Sequence, residues 1–96
     1  MTTLEGKIKK IFDKEVYGTF EKRVFWLEDI SEKYPNIWQL EIWNKDIPMM
    51  DNYNVGDFIT AYIDIKGKFT RDAEKVITSL KCWNIKKDGV AYKAIP

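Results

Sequence analysis

Histidine is absent from the 96 residues, and there is one cysteine. The first absence removes the commonest general base and the commonest metal ligand together. A lone Cys82 excludes an internal disulfide and a thiolate metal cluster, and fits a small apolar filler in a reduced compartment. No apolar run approaches the roughly 20 residues of a membrane span. The opening "MTTLEGKIKK" lacks the apolar stretch of a signal peptide, so a cytoplasmic location is expected. Charge of one sign is missing too: 16 basic residues against 15 acidic give a net charge of +1. The total therefore says nothing for or against a polyanionic partner, and the distribution must decide.

Catalytic patterns are equally scarce. Asp46, Asp51 and Asp57 fall around a helix and a turn, where capping accounts for them. "IKGKF" lacks the glycine spacing of a phosphate loop. Asp29, Glu32 and Asp64 have no partners at metal-site spacing. The expectation is a protein that is not an enzyme and carries no cofactor or metal.

What the chain has in excess is aromatic rings: four Trp, five Tyr and five Phe, 15% of all residues. One small core does not need so many, and rings left at a surface point to binding. The length fits a single domain over 1–96, with an ordered part at about 4–87 and a short tail at 88–96.

Period-two alternation runs through most of it. Residues 4–12 alternate Leu4, Gly6, Ile8 against Glu5, Lys7, Lys9, with a slip near Lys10, and Gly6 marks a bulge or sharp bend. Gly18 is a turn residue before a second strand at 21–29. There Phe25 and Leu27 share a face with Arg23, while Lys22, Val24 and Trp26 share the other. Pro35 lies in the loop before a third strand at 37–43, whose inner face is Trp38, Leu40 and Ile42 and whose outer face ends at Trp43. About 46–53 reads as a short helix, capped by Asp46 with Pro48 in its first turn. "NVGD" turns into a fourth strand, "DFITAYIDIKGKF", with Ile59, Ala61, Ile63 and Ile65 inward and Tyr62 outward. "TRDAEK" is a charged loop, and 76–87 is the fifth strand, with Cys82 inward.

The order β-β-β-α-β-β, with glycine bends, is the plan of an all-β five-stranded OB-fold barrel with one short helix between strands three and four. A five-stranded barrel closed without the helix is the competing architecture.

Five stretches carry a family likeness: "KRVFWLED", "YPNIWQLEIWNKD", "MDNYNVGDFI", "IKGKF" and "LKCWNI". Together they resemble an uncharacterised family of small bacterial and phage OB-fold proteins described as single-stranded-DNA-binding-like. The "YNVGD" turn and the L-x-C-W-x-I ending are the most specific parts, the family usually having Ala where this chain has Cys82. The resemblance implies the barrel and a single-stranded DNA ligand. The chain departs from it by placing Trp26 and Trp43 where aliphatic residues are usual, and by lacking the acidic-tipped tail through which many single-strand-binding proteins recruit partners.

The face centred on strands two and three is where OB-folds bind. Trp26 and Trp43 are outward there, and single strands need stacking platforms for bases and cations for phosphates. The candidate cations are Lys22, Arg23, Lys7, Lys9, Lys66, Lys68 and Arg71. Tyr17, Phe20 and Tyr62 are candidate additional rings, and Trp83 is read as structural. Two functions remain open. One is sequence-tolerant binding of single-stranded DNA, or of RNA, in replication or recombination. The other is a protein-interaction module whose aromatic face forms a homo-oligomer or docks on a larger assembly.

Overall fold

The computed structural model describes residues 2–29 and 33–87; the expected tail at 88–96 and Glu32 lie outside them. The strands are β1 (Thr2–Ile11), β2 (Glu15–Tyr17), β3 (Phe20–Asp29), β4 (Asn36–Trp43), β5 (Phe58–Phe69) and β6 (Val76–Lys87), with a 3₁₀ helix (Asn44–Asn52) between β4 and β5. The sheet order is β1-β5-β6-β4-β3-β2, and β1 also pairs with β3. That last pairing closes five strands into an OB-fold barrel, with β2 a short hairpin extension on β3. All pairings are antiparallel except β4 with β6.

Closure depends on β1 serving two neighbours. Its first half pairs with β5 and its second half with β3, with a register shift between Ile8 and Lys10. This bulge is the slip visible in the sequence near Lys10. At Gly6 β1 passes so close to β3 that an added Cβ would stand 2.1 Å from the Glu28 carbonyl oxygen. The 54–57 turn ties in beneath, with Gly56 N donating to Ile8 O at 2.8 Å and Ile8 N donating to Asp57 O at 2.9 Å.

The core is the inward face of each strand: Ile8, Phe25, Leu27, Leu40, Ile42, Ile59, Ala61 and Cys82 are fully buried. Ile47 and Met50 of the 3₁₀ helix plug one end. The helix starts at Asn44 rather than 46, directly after Trp43, and no side chain caps it. Asp46 lies in its first turn, where a carboxylate favours the positive end of the peptide dipoles. Pro48 inside the helix removes a donor, in keeping with short-range 3₁₀ bonding.

Two further features differ from the sequence reading. Glu15–Tyr17 forms a strand, the first half of a hairpin turned by Gly18 at φ 62°. Ile65, expected inward, is 63% exposed. The ends of β5 and β6 outrun the barrel and stay paired, Ile65 to Leu80 and Phe69 to Val76, as a projecting arm. Its inward-phase residues have no core to enter. The arm stretches the molecule to 49 Å in its long dimension, against 27 and 23 Å in the others. No helix among the described residues is long and apolar enough to cross a membrane.

Candidate nucleic-acid interface

The outer face of β3 and β4 is built in register rows: Lys22 opposite Trp43, Val24 opposite Glu41, and Trp26 opposite Gln39. Facing residues in an antiparallel pair share a face. The face thus alternates ring and polar group, and its two tryptophans lie four residues apart along β3, about 13 Å at the rise of a strand.

At the first row the surface deepens into a cleft of about 460 Å³. Phe20, Lys22, Glu41 and Trp43 form its barrel wall. Lys66, Gly67, Lys68, Ile77 and Ser79, from the second face of the arm, form the other. Trp43 Nε1 donates to Glu41 Oε1 at 2.8 Å. The Phe20 ring meets the indole edge-on at 5.4 Å, and Lys81 Nζ lies 5.2 Å over it. Lys22 Nζ stands 3.8 Å from Glu41 Oε2 and 5.7 Å from the Tyr17 ring. Tyr17 is exposed on β2, and its hydroxyl donates to Glu15 Oε1 at 2.5 Å. That bond, with the Glu15 charge, raises its pKa above the usual 10.0.

At the third row Trp26 Nε1 donates to Gln39 Oε1 at 3.2 Å. Phe12 packs on the indole at 5.0 Å, and Lys10 Nζ lies 5.5 Å over Trp26 and 4.7 Å over Phe12. The two tryptophans are thus equipped alike: a fixed N–H, an edge-on phenylalanine and a lysine over the ring.

The acids on this face are neutralised, Glu41 by Lys22 and Glu28 by Lys9 at 3.7 Å. Among the described residues, Lys10, Lys66, Lys68 and Lys81 form no ion pair. The face is therefore locally cationic although the chain is nearly neutral.

Of the residues singled out from the sequence, the cleft collects Phe20, Lys22, Trp43, Lys66 and Lys68. Tyr17 stands at its margin and Trp26 two rows along the same face. Arg71 is exposed in the turn at the arm's tip, which Thr70 and Asp72 brace by hydrogen bonds. Arg23 lies on the opposite side of β3. Its Nε donates to Phe12 O at 2.7 Å and its Nη1 pairs with Asp51 at 3.5 Å, so it ties the chain after β1 to the 3₁₀ helix. Lys7 is half-buried on β1, and Lys9 is engaged with Glu28. Tyr62 belongs to a separate cluster on β5 and β6, with Trp83 at 5.6 Å and Lys86 at 5.4 Å over its ring.

Sequence reasoning missed Lys10, Phe12, Glu41, Ile77 and Lys81. Glu41 was legible, since alternation from Trp43 places it on the same face. Lys10 was hidden by the bulge. Lys81 reaches Trp43 only through the parallel β4–β6 pairing, which no local pattern announces. No group of His, Cys, Asp and Glu among the described residues is arranged to hold a metal ion.

The fold is similar to that of two solved proteins. The mitochondrial single-stranded DNA-binding protein Rim1 of S. cerevisiae aligns with a TM-score of 0.64 at 16% identity, covering 92% of this chain and 95% of Rim1. A small single-stranded DNA-binding protein from Mycoplasma pneumoniae aligns with a TM-score of 0.51 at 13% identity, covering 92% of each chain. No functionally curated protein matches the sequence. The match to a family is nonetheless nearly full-length: over residues 3–86 the chain belongs to the family described as domain of unknown function DUF3127.

Proposed function

We propose that this protein binds single-stranded DNA with little regard to sequence, along the outer face of β3 and β4 and into the cleft beneath the arm, and that it serves replication or recombination. The observation that carries the reading is the cleft itself, where Trp43 and Phe20 face Lys66 and Lys68 across a gap. Bases stack on the rings and phosphates meet the lysines. The likeness in fold to Rim1 and to the Mycoplasma protein supports it.

Trp43 and Phe20 hold one base, and Trp26 takes another farther along. Lys66, Lys68 and Lys81 meet the backbone near the cleft and Lys10 meets it near Trp26, while Lys22 stays with Glu41 and Tyr17 and Arg71 lie at the margins. A lysine rests over each tryptophan in the free protein. Lifting it forfeits about 0.5–1 kcal/mol at an exposed site. Stacking a base returns about 1–3 kcal/mol, and the displaced ammonium is then placed to meet the phosphate. Entry is favourable on those magnitudes.

Tryptophan emission tests this directly. A single-stranded oligonucleotide should quench it, and duplex of the same sequence should do so far less, because a duplex keeps its bases in its own stack. Trp43→Ala should weaken binding by about 1–3 kcal/mol, and Trp26→Ala should do so within the same range. Equal response to duplex and single strand would overturn the reading.

A second reading has its own observation. The arm's reverse face exposes Ile65, Phe69 and Val76 at 63%, 69% and 64%, an apolar strip that a homo-oligomer or another protein would cover. Phe69→Lys should lower the molecular mass in solution if copies meet there. An unchanged monomer mass would dismiss self-association through this strip.

A further inference from the structure

Glu41 is out of place in a site for a polyanion. Its side chain is only 14% exposed, and it lines a cleft otherwise made of two rings, three lysines, Ile77, Gly67 and Ser79. It is also held in position. Trp43 Nε1 donates to one carboxylate oxygen at 2.8 Å, and Lys22 approaches the other to 3.8 Å. A carboxylate offers about four lone-pair sites, so two such partners leave acceptor capacity facing the cleft.

We propose that Glu41 makes the cleft prefer one kind of base: a base whose Watson–Crick edge carries hydrogen-bond donors, guanine above all. The inference rests on the cleft being a single-strand site, as read above. A carboxylate can only accept. Thymine presents two carbonyl acceptors around one N–H, and those carbonyls are repelled by the carboxylate. Cytosine and adenine each present one amino group. Guanine presents N1–H and the N2 amino group side by side, and these match the two oxygens of one carboxylate.

The two walls have opposite character. Acceptor oxygens lie on the barrel wall beside the Trp43 indole, and the ammoniums of Lys66 and Lys68, without an ion pair among the described residues, lie on the arm wall. A nucleotide therefore enters with its base edge towards the barrel and its phosphate towards the arm. Lys22 offsets the negative charge of Glu41, so the acceptor remains without repelling the strand as a whole. Elsewhere on the face the rings read only the π-surface, and binding stays tolerant of sequence. The preference applies to one base at one position.

The test compares an all-thymine oligonucleotide with strands carrying a single central guanine, inosine, cytosine or adenine, by tryptophan quenching on the intact protein. The guanine strand should bind about tenfold more tightly than all-thymine, the scale of one good bidentate base contact. Inosine keeps N1–H but lacks the 2-amino group, and should fall between them. Glu41→Gln should erase the difference while all-thymine still binds, and Lys22→Gln should preserve it. Equal affinity of the wild-type protein for the guanine and thymine strands overturns the role of Glu41 and leaves the single-strand site standing. Failure of every strand to quench overturns the site itself.

Discussion

Removing the two lysines of the arm should flatten the salt dependence of binding by a calculable amount. Each phosphate neutralised on a single strand contributes about −0.7 to the slope of log affinity against log salt concentration. Lys10, Lys66, Lys68 and Lys81 line the face without ion pairs among the described residues, so each is free to meet a phosphate. Four such contacts give a slope of about −2.8, and about a fifty-fold loss of affinity between 50 and 200 mM salt. The Lys66→Ala/Lys68→Ala double variant should keep two contacts, with a slope of about −1.4 and about a seven-fold loss over the same range. Lys22→Ala should change the slope less than either arm lysine alone, because Lys22 already neutralises Glu41 at 3.8 Å. Tryptophan quenching across a salt series measures all three proteins. A double variant with the wild-type slope would refute the assignment of phosphates to the arm, whatever its affinity at one salt concentration.

Other outcomes follow from the same geometry. Arg23→Ala should leave the salt slope unchanged and cost about 1.5–3 kcal/mol of stability, since it deletes a charged donor to the Phe12 carbonyl, the exposed Asp51 pair adding little; a urea midpoint checks it. Gly6→Ala should destabilise by the upper part of the roughly 1–3 kcal/mol of overpacking or beyond, because the clash at 2.1 Å is with a backbone carbonyl, whereas Gly67→Ala, with nothing within 4 Å, should fold as the wild type does. Cys82 should resist thiol reagents at pH 8 in the native protein, as burial pushes its pKa up to about 12. The unfolded thiol ionises near its ordinary 9.0 and the folded one does not. Stability should therefore fall between pH 9 and 12, by at most about 1.4 kcal/mol per pH unit from this group, and Cys82→Ala should fall less steeply.

Alternation made the barrel legible. The inward sets of β3, β4 and β5 follow from period two, because each strand has one face in the core and one in solvent. The glycine bend of β1 at Gly6 and the slip at Lys10 were visible as interruptions of that period. What was not legible depends on where a strand leaves the core. Ile65 keeps the inward phase of Ile59, Ala61 and Ile63, yet the barrel ends at Ile63 and the phase continues into solvent. Nothing local to the residue marks that point. The helix type was hidden for a similar reason: Ile47 and Met50 suit either a 3₁₀ or an α spacing, and the length of chain needed to cap the barrel decides. Within the site, Trp43 and Lys22 followed from strand faces and Phe20 was read as a loop ring, though it opens β3, whereas Lys81 depends on a pairing between residues forty apart in sequence.

The same period separates the effects of substitution along β3. Phe25 and Leu27 are fully buried in the core, and Lys22 and Trp26 are half-buried on the outer face, so truncation of one set acts on folding and of the other on binding. Arg23 sorts with the first set although its charge places it, on composition alone, with the second. The strand thus carries two nearly independent messages on alternate residues. Val24 couples them, being outward in phase yet only 9% exposed beneath its neighbours. It sits in the row between the two tryptophans, opposite Glu41. A larger residue there should lift the floor on which a strand would cross from one ring to the other, and it would press on buried neighbours as well. Val24→Ile should therefore change single-strand affinity, read by tryptophan quenching, together with a shift in the urea midpoint from overpacking; an unchanged affinity would refute a path across this row.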